Sequence, residues 1–245
     1  MIYYLENEPN AEILALNGDI ERGVIVKEKM DDGEEDHEWM GIMMATDDVE
    51  FIRAFWRSLP NGHKYFLPLR MDAFENLLKI TGAKVKWQTH CKVFVYSLED
   101  DFVFDDDTKY PYDILTAADV NTVEEFYEYQ HDELHLEILE SIEKRNTSCI
   151  RIDGDLAAWC LVGEDGSLGP LHTKEKYRRK GLGKLVASRL IQKQLAQGKI
   201  PYVHINDDNI SSLSLIKKFP QMKYSHNAIW FGAIKGDGEK NDTID

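Results

Sequence analysis

Cysteine is scarce in this chain of 245 residues: there are three, Cys91, Cys149 and Cys160, an odd number without a C-x-x-C spacing. That excludes a disulfide framework and a cysteine-rich zinc site, and leaves three buried thiols as the expectation. Long apolar runs are missing too. No stretch reaches the roughly 18 to 20 apolar residues that span a bilayer, and Met1-Ile2-Tyr3-Tyr4-Leu5-Glu6 has neither the basic nor the long apolar part of a signal peptide. The expectation is a soluble, cytoplasmic protein without a membrane partner. Basic residues are outnumbered, 29 Lys and Arg against 44 Asp and Glu, for a formal net charge of −15. Binding to nucleic acid or to an anionic membrane needs clustered Lys and Arg across a surface, so this balance argues against both. Apolar residues make up 43% of the chain, enough for a packed core in one large domain or two small ones.

The charge is unevenly spread. Residues 31–38 hold six acids, residues 99–107 another six, and the tail 236–245 four acids and one lysine; together they account for the whole net charge. Like charges repel and solvate, so these stretches read as loops, with an acidic strip for a partner as the alternative. The stretch 99–107 runs into Lys109-Tyr110-Pro111, which places a boundary between an N-terminal lobe, 1–108, and a C-terminal lobe, 112–235, followed by a disordered acidic tail, 236–245. Within the neutral remainder, residues 174–199 carry nine basic residues and one acid, a local +8 able to hold a small anion.

In the C-terminal lobe, residues 119–144 read as two helices with a break near Gln130 or His131. Strands follow at 148–152, 156–162 and 167–173, with Asp153-Gly154 and Asp165-Gly166 as hairpin signals, because glycine tolerates positive φ. A glycine-containing basic turn then opens a helix. On its wheel Val186, Ala187, Leu190, Ile191 and Leu195 share one half while Arg189 and Lys193 occupy the other. Gly198 ends it; a strand at 200–205, a short helix at 209–218 and a strand at 224–233 complete the order. The N-terminal lobe reads as strands at 2–5, 13–16, 24–26, 41–45, 65–69 and 92–96 with helices at 49–59 and 71–80. That order repeats part of the C-terminal one, so a degenerate duplication is one reading.

The segment from Leu171 to Lys184 joins a strand to a helix. Gly181 and Gly183 remove side chains where backbone must approach a ligand, and successive amides at a helix N-terminus point their N–H groups at one spot. With Lys and Arg nearby this suits a pyrophosphate; the alternative is an ordinary glycine turn on a solvated basic helix. Neither G-x-x-x-x-G-K-[ST] nor G-x-G-x-x-G is present. The pattern that fits is Arg178-x-x-Gly181-x-Gly183, which resembles the coenzyme-A pyrophosphate loop of the GNAT acyltransferases, [QR]-x-x-G-x-[GA]. The element order from 112 to 233 fits the same family, as do Asn209 and Ser212 at the start of the next helix. The two-lobed arrangement resembles the glycine N-acyltransferase-like branch more weakly.

The resemblance implies an α/β (α+β) GNAT fold, a mixed and mostly antiparallel sheet flanked by helices, with a degenerate N-terminal lobe. It implies transfer of an acyl group, most often acetyl, from acetyl-CoA or another acyl-CoA to a primary amine on a small molecule or peptide, without a metal. It places the phosphates on Arg178, Arg179, Lys180, Gly181, Leu182, Gly183 and Lys184, the thioester near the main chain of Leu171 to Thr173, and Asn209 and Ser212 beside the cofactor. The ammonium must lose a proton before it can attack. His204 stands where many members carry a Glu, five residues before the Asn, and is the first candidate base; His172 is the second. A structural strand histidine or a water relay are the alternatives. The family's general-acid Tyr is replaced by Ile216, and the usual Gly-Phe by Phe219-Pro220. Tyr177 and Tyr224 are other hydroxyls in reach of the sequence. Ile216 also supports a rival expectation, a catalytically weak CoA-binding module used for sensing or interaction. His131 and His135 have the i, i+4 spacing of a zinc helix, but Asp132 stands where HExxH has its Glu and no third ligand is evident; with Tyr127 and Tyr129 they flank the expected acceptor channel, and helix surface is the plainer reading.

Overall fold

The computed structural model describes residues 12–14, 24–30, 39–45, 48–58, 64–81, 83–99, 109–132 and 134–235. The expected strand at 2–5, the acidic stretch 31–38, most of the stretch 99–107 and the tail 236–245 lie outside the described residues. The chain forms two compact units, residues 1–92 with 226–245, and residues 93–225.

The first unit has strands β1 (Glu12–Leu14), β2 (Val24–Met30), β3 (Trp39–Ala45), β4 (Lys64–Arg70), the larger part of β5 (Lys84–Tyr96) and most of β11 (Met222–Ile234), in the spatial order β1-β2-β3-β4-β11-β5. Only the β3–β4 pair has a parallel register among those described; β1–β2, β2–β3 and β4–β11 are antiparallel. Helix α1 (Val49–Ser58) makes the crossover a parallel pair requires, and α2 (Met71–Thr81) follows β4. Asp48 starts α1 by accepting the amides of Glu50 and Phe51 at 3.0 Å each. Phe51, Ile52 and Trp56 of α1 and Phe74 and Leu77 of α2 then close over alternate β11 residues Ile229, Phe231 and Ala233. The strand expected at Lys92 begins earlier, at Lys84. Lys84, Lys86, Trp87, Gln88 and His90 are all exposed, so this half lacks the alternation that marks a strand with one buried face.

The second unit runs β6 (Tyr112–Asp113), a 3-10 turn, α3 (Val120–Glu125), α4 (Leu134–Lys144), β7 (Ser148–Ile152), β8 (Asp155–Val162), β9 (Leu168–Thr173), α5 (Leu182–Ala196), β10 (Tyr202–Asn206) and α6 (Ile210–Ile216). β6-β7-β8-β9 form an antiparallel meander. Asp153 and Gly154 take φ of 52° and 79°, the paired left-handed residues of a tight hairpin, and Gly166 turns the next one at 89°. Leu156 to Val162 is buried without a break because both faces of β8 are covered. Trp159 and Leu161 join Val120, Val123, Leu134 and Ile138 of α3 and α4, while α5 packs on the sheet as well.

On helix α5, Arg189 and Lys193, the half of the wheel opposite Val186, Leu190 and Ile191, are also held against the protein: Arg189 is 7% exposed, donates to the Tyr110 carbonyl at 3.1 Å and lies 4.3 Å from the Tyr112 ring. The Lys193 ammonium donates to the Thr147 carbonyl at 2.7 Å. Long cationic side chains can lay their stems on apolar surface and satisfy their heads on carbonyls and an aromatic face, which the wheel alone does not show.

Candidate functional site

Alternation along β9 sends Leu171 and Thr173 to one face and His172 to the other. A register shift against β8 between Cys160 and Val162 places a bulge just before Leu171. After Thr173, the Lys174 amide donates to the Ala157 carbonyl at 3.0 Å, Glu175–Tyr177 make one 3-10 turn, and the Arg178 side chain returns to the Thr173 carbonyl at 3.1 Å. Arg179 and Gly181 both have left-handed φ, 64° and 79°. Helix α5 begins there, with the Leu185 amide on the Gly181 carbonyl at 3.1 Å. The amides of Leu182, Gly183 and Lys184 lie in the first turn, ahead of that first bond.

The two glycines serve different ends. A Cβ at Gly181 would meet nothing within 4 Å, so its need is conformational, the positive φ. At Gly183 the φ is ordinary and a Cβ would lie 3.4 Å from Thr173 Oγ1, 3.6 Å from Leu171 Cδ2 and 3.9 Å from Leu215 Cδ2. The protein therefore tolerates an added methyl there, and what the glycine leaves bare is main chain at the positive end of a helix.

Asp155, which the sequence reading passed over, organises the basic side chains before the loop. It accepts from Lys174 at 2.7 Å, Lys176 at 2.8 Å and the Tyr177 hydroxyl at 3.1 Å, and Lys174 above all holds its carboxyl far below the usual range. Lys174, Lys176, Arg189 and Lys193 thus have partners within the protein, and the local +8 overstates the charge offered to a ligand. Arg178, with its Nε on the Thr173 carbonyl, Arg179, and Lys180, 5.5 Å from the Tyr177 ring, are exposed and contiguous with the glycines at the helix N-terminus.

β10 follows α5 but pairs with β5 rather than β9; the two strands that flank the loop's helix belong to different sheets. Asn209 Oδ1 accepts the Ser212 amide at 2.9 Å and so caps α6, whose last residue is Ile216. Replacing Asn209 by Ala removes that bond and should lower stability by about 1 kcal/mol, read from the urea midpoint, while Asn209→Asp retains it.

Residues 149–230 match the family model described as FR47-like protein. Among solved structures the chain is similar to a Drosophila protein, with a TM-score of 0.68 at 18% identity over 89% of this chain and 76% of that one. It is also similar to a GNAT-family acetyltransferase from Colwellia psychrerythraea, 0.55 at 12% over 96% and 89%. A tandem GNAT protein from the clavulanic acid biosynthesis pathway gives 0.56 at 12% over 89% and 80%. No curated protein matches the chain significantly. The chain has the GNAT fold.

On the other face of this GNAT sheet, His172 packs in a three-ring cluster with Phe126 and Trp159, at centroid distances of 4.8 and 4.9 Å, the two aromatics meeting edge-on at 5.8 Å. Its Nε2 is buried with no hydrogen-bond partner among the described residues. Burial first, then Arg178 and Lys174, push its basicity below that of ordinary histidine. The folded chain resists protonating this ring while the unfolded chain accepts the proton near 6.5. Its contribution is therefore complete above that pH and is lost as pH falls. The fall in urea midpoint between pH 7.5 and 5.5 should be smaller in His172→Gln than in the parent.

On β10, Tyr202, His204 and Asn206 share a face. The Tyr202 hydroxyl donates to the Asp165 carbonyl, His204 Nε2 lies 3.7 Å from Asp165 Oδ2, and the Asn206 amide donates to the Tyr129 hydroxyl. The α3–α4 connection thus supplies Phe126 to His172 and Tyr129 to the end of β10. Burial, followed by Glu137, Tyr129 and Asp165, pushes the Tyr127 hydroxyl up to about 12. Burial, followed by Glu128 and Asp208, raises that of Tyr129. The other hydroxyls lie elsewhere: Tyr177 is on Asp155, and Tyr224, 53% exposed, packs edge-on against Phe94 at 6.0 Å. His131 and His135 separate onto Glu137 at 3.4 Å and Glu124 at 2.7 Å on the helix surface, and no group of three His, Cys, Asp or Glu able to hold a metal occurs among the described residues. All three cysteines are buried free thiols, with Cys149 and Cys160 pushed up to about 12 by desolvation, unlike a nucleophilic thiolate. Among the described residues no helix is long and apolar enough to cross a membrane.

Proposed function

We propose that the chain is an acyl-CoA-dependent N-acyltransferase, with acetyl-CoA as donor and a primary amine on a small molecule or peptide as acceptor. The observation that carries the reading is the turn between β9 and α5. Gly181 sets a left-handed N-cap, Gly183 bares main chain beside the first-turn amides, and Arg178 to Lys180 stand next to them. Such a cradle fits a pyrophosphate by charge and by donor geometry. The thioester supplies an activated acyl carbon, and the net reaction forms an N–C bond and breaks a C–S bond.

The chain's own residues then have three tasks. The amides of Leu182 to Lys184 and the side chains of Arg178, Arg179 and Lys180 hold phosphate oxygens. Leu171 to Thr173 present main chain where β9 and β10 part, with Asn209 and Ser212 opening α6 beside them. His204 takes the proton from the acceptor ammonium, a role open to imidazole at neutral pH. The same reading takes residues 1–108 as a degenerate GNAT-like lobe before the acyltransferase domain of 112–235; it is supported by the strand–helix–strand–helix–strand order from Trp39 to Tyr96.

Ile216, an aliphatic residue at the end of α6, favours a second reading, a CoA-binding module with little turnover. Release of free thiol from acetyl-CoA with glycine, phenylethylamine, spermidine and a lysine-bearing peptide separates the two. Acceptor-dependent thiol release supports the transferase; CoA binding without release for any acceptor supports the module. A melting temperature unmoved by millimolar CoA defeats both.

A further inference from the structure

We propose that Asp165, in the β8–β9 turn, is the positioning residue for His204 during acyl transfer, an inference that rests on the reading of His204 as the base. The two residues come from different parts of the unit, a hairpin tip and the middle of β10. They meet with Nε2 and Oδ2 3.7 Å apart, at side-chain exposures of 19% and 15%.

The turn itself does not require a carboxylate. Asp165 Oδ1 accepts the Ser167 amide at 2.9 Å, the local bond by which Asp or Asn sets a turn, and Gly166 supplies the positive φ. Asn-Gly makes the same kind of turn at least as well as Asp-Gly. The negative charge is therefore surplus to the hairpin, and the second oxygen is the one directed at His204. The tip is also tied down, since its carbonyl accepts the Tyr202 hydroxyl, and the Tyr202 ring stands edge-on to His204 at 5.7 Å and 73°. Carboxylate and imidazole are thus held by three connections: the Ser167 amide, the Tyr202 hydroxyl and the packing of the Tyr202 ring.

Among the described residues, titratable groups around this pair include Tyr127, whose hydroxyl feels Asp165 and Glu137, and Tyr129, bonded to Asn206 on the same face of β10 and influenced by Glu128 and Asp208. When the ammonium of the acceptor gives its proton to His204, a positive charge appears on the ring, and Asp165 offers a carboxylate at ion-pair distance to stabilise it. The proton goes to the imidazole, the amine nitrogen keeps the electron pair with which it attacks the acyl carbon, and the C–S bond breaks to release the CoA thiolate, which takes the nitrogen's second proton. A separation of 3.7 Å is long for a hydrogen bond and suits a pair that tightens once the ring is charged.

The test uses the full chain carrying 15N-histidine. The His204 ring is assigned by loss of its signals in His204→Gln and titrated by NMR in the parent and in Asp165→Asn, which keeps an acceptor for the Ser167 amide. Without its counter-charge the ring should titrate about one pH unit lower. In thiol release from acetyl-CoA with the same amine panel, Asp165→Asn should lower kcat about tenfold, leave KM for acetyl-CoA within twofold and move the acid limb of the profile to lower pH. A melting temperature within a few degrees of the parent confirms that the turn is intact. A titration unmoved in Asp165→Asn overturns the pairing whatever the turnover. A titration that moves while His204→Gln retains parental thiol release overturns the base reading instead, leaving the pair a structural contact.

Discussion

Gly183→Glu should abolish saturable binding of acetyl-CoA, raising its Kd at least a hundredfold, while the melting temperature falls by only a few degrees. The expectation follows from where a side chain at 183 would go. Its Cβ finds ordinary contact distances to Thr173, Leu171 and Leu215, so folding is not prevented. The rest of the side chain would project into the space that first-turn amides face, and its carboxylate would sit where phosphate oxygens are expected. Gly181→Ala is the control with the opposite signature. Nothing obstructs its methyl, but a left-handed φ of 79° is strained for alanine, at a cost of about 1 to 2 kcal/mol. Its stability should fall more than that of Gly183→Ala, and its CoA affinity less than that of Gly183→Glu. Isothermal titration and urea denaturation on the three variants measure both axes. Equal CoA affinity in Gly183→Glu and the parent would remove the cradle reading.

Most of the second unit was legible because its signals are local. Two Asp-Gly pairs lie between apolar runs, Gly198 closes a periodic helix at φ 73°, and Asn209 caps the next helix through Ser212. Each is a short-range rule, so β7, β8, β9 and α5 fall within a residue or two of their expected bounds. What escaped was set by tertiary partners. Asp155 and Asp165 look like ordinary hairpin acids, yet one gathers Lys174, Lys176 and Tyr177 and the other reaches His204. Sequence distance hides such pairs, since nothing local to residue 165 mentions residue 204. The partners of Arg189 and Lys193 are equally remote: a tyrosine ring with two carbonyls 79 and 46 residues away satisfies them. The charge count over 174–199 therefore overstates what the turn offers a ligand.

His204→Gln should lower kcat for acyl transfer by about a hundredfold to a thousandfold with KM for acetyl-CoA within twofold, the range a positioned proton acceptor supplies. Glutamine keeps hydrogen-bonding capacity at a half-buried position, so stability should change little and the loss would be chemical. The acid limb of the kcat/KM profile should vanish with the imidazole, because no group titrating near neutrality is left on that face of β10. The comparison with His172 is what gives the result its meaning. His172 is the other strand histidine, but its ring packs against Phe126 and Trp159, its Nε2 is buried, and its protonation is opposed by burial, Arg178 and Lys174. A ring that resists the proton is a poor acceptor of one, so His172→Gln should act mainly on stability and move kcat by less than tenfold. Steady-state thiol release from acetyl-CoA across pH 5.5 to 9 on both variants decides between the two histidines. Full turnover in His204→Gln together with a large kcat loss in His172→Gln would transfer the role to the β9 ring, and with it require that Phe126 move aside before the amine can reach it.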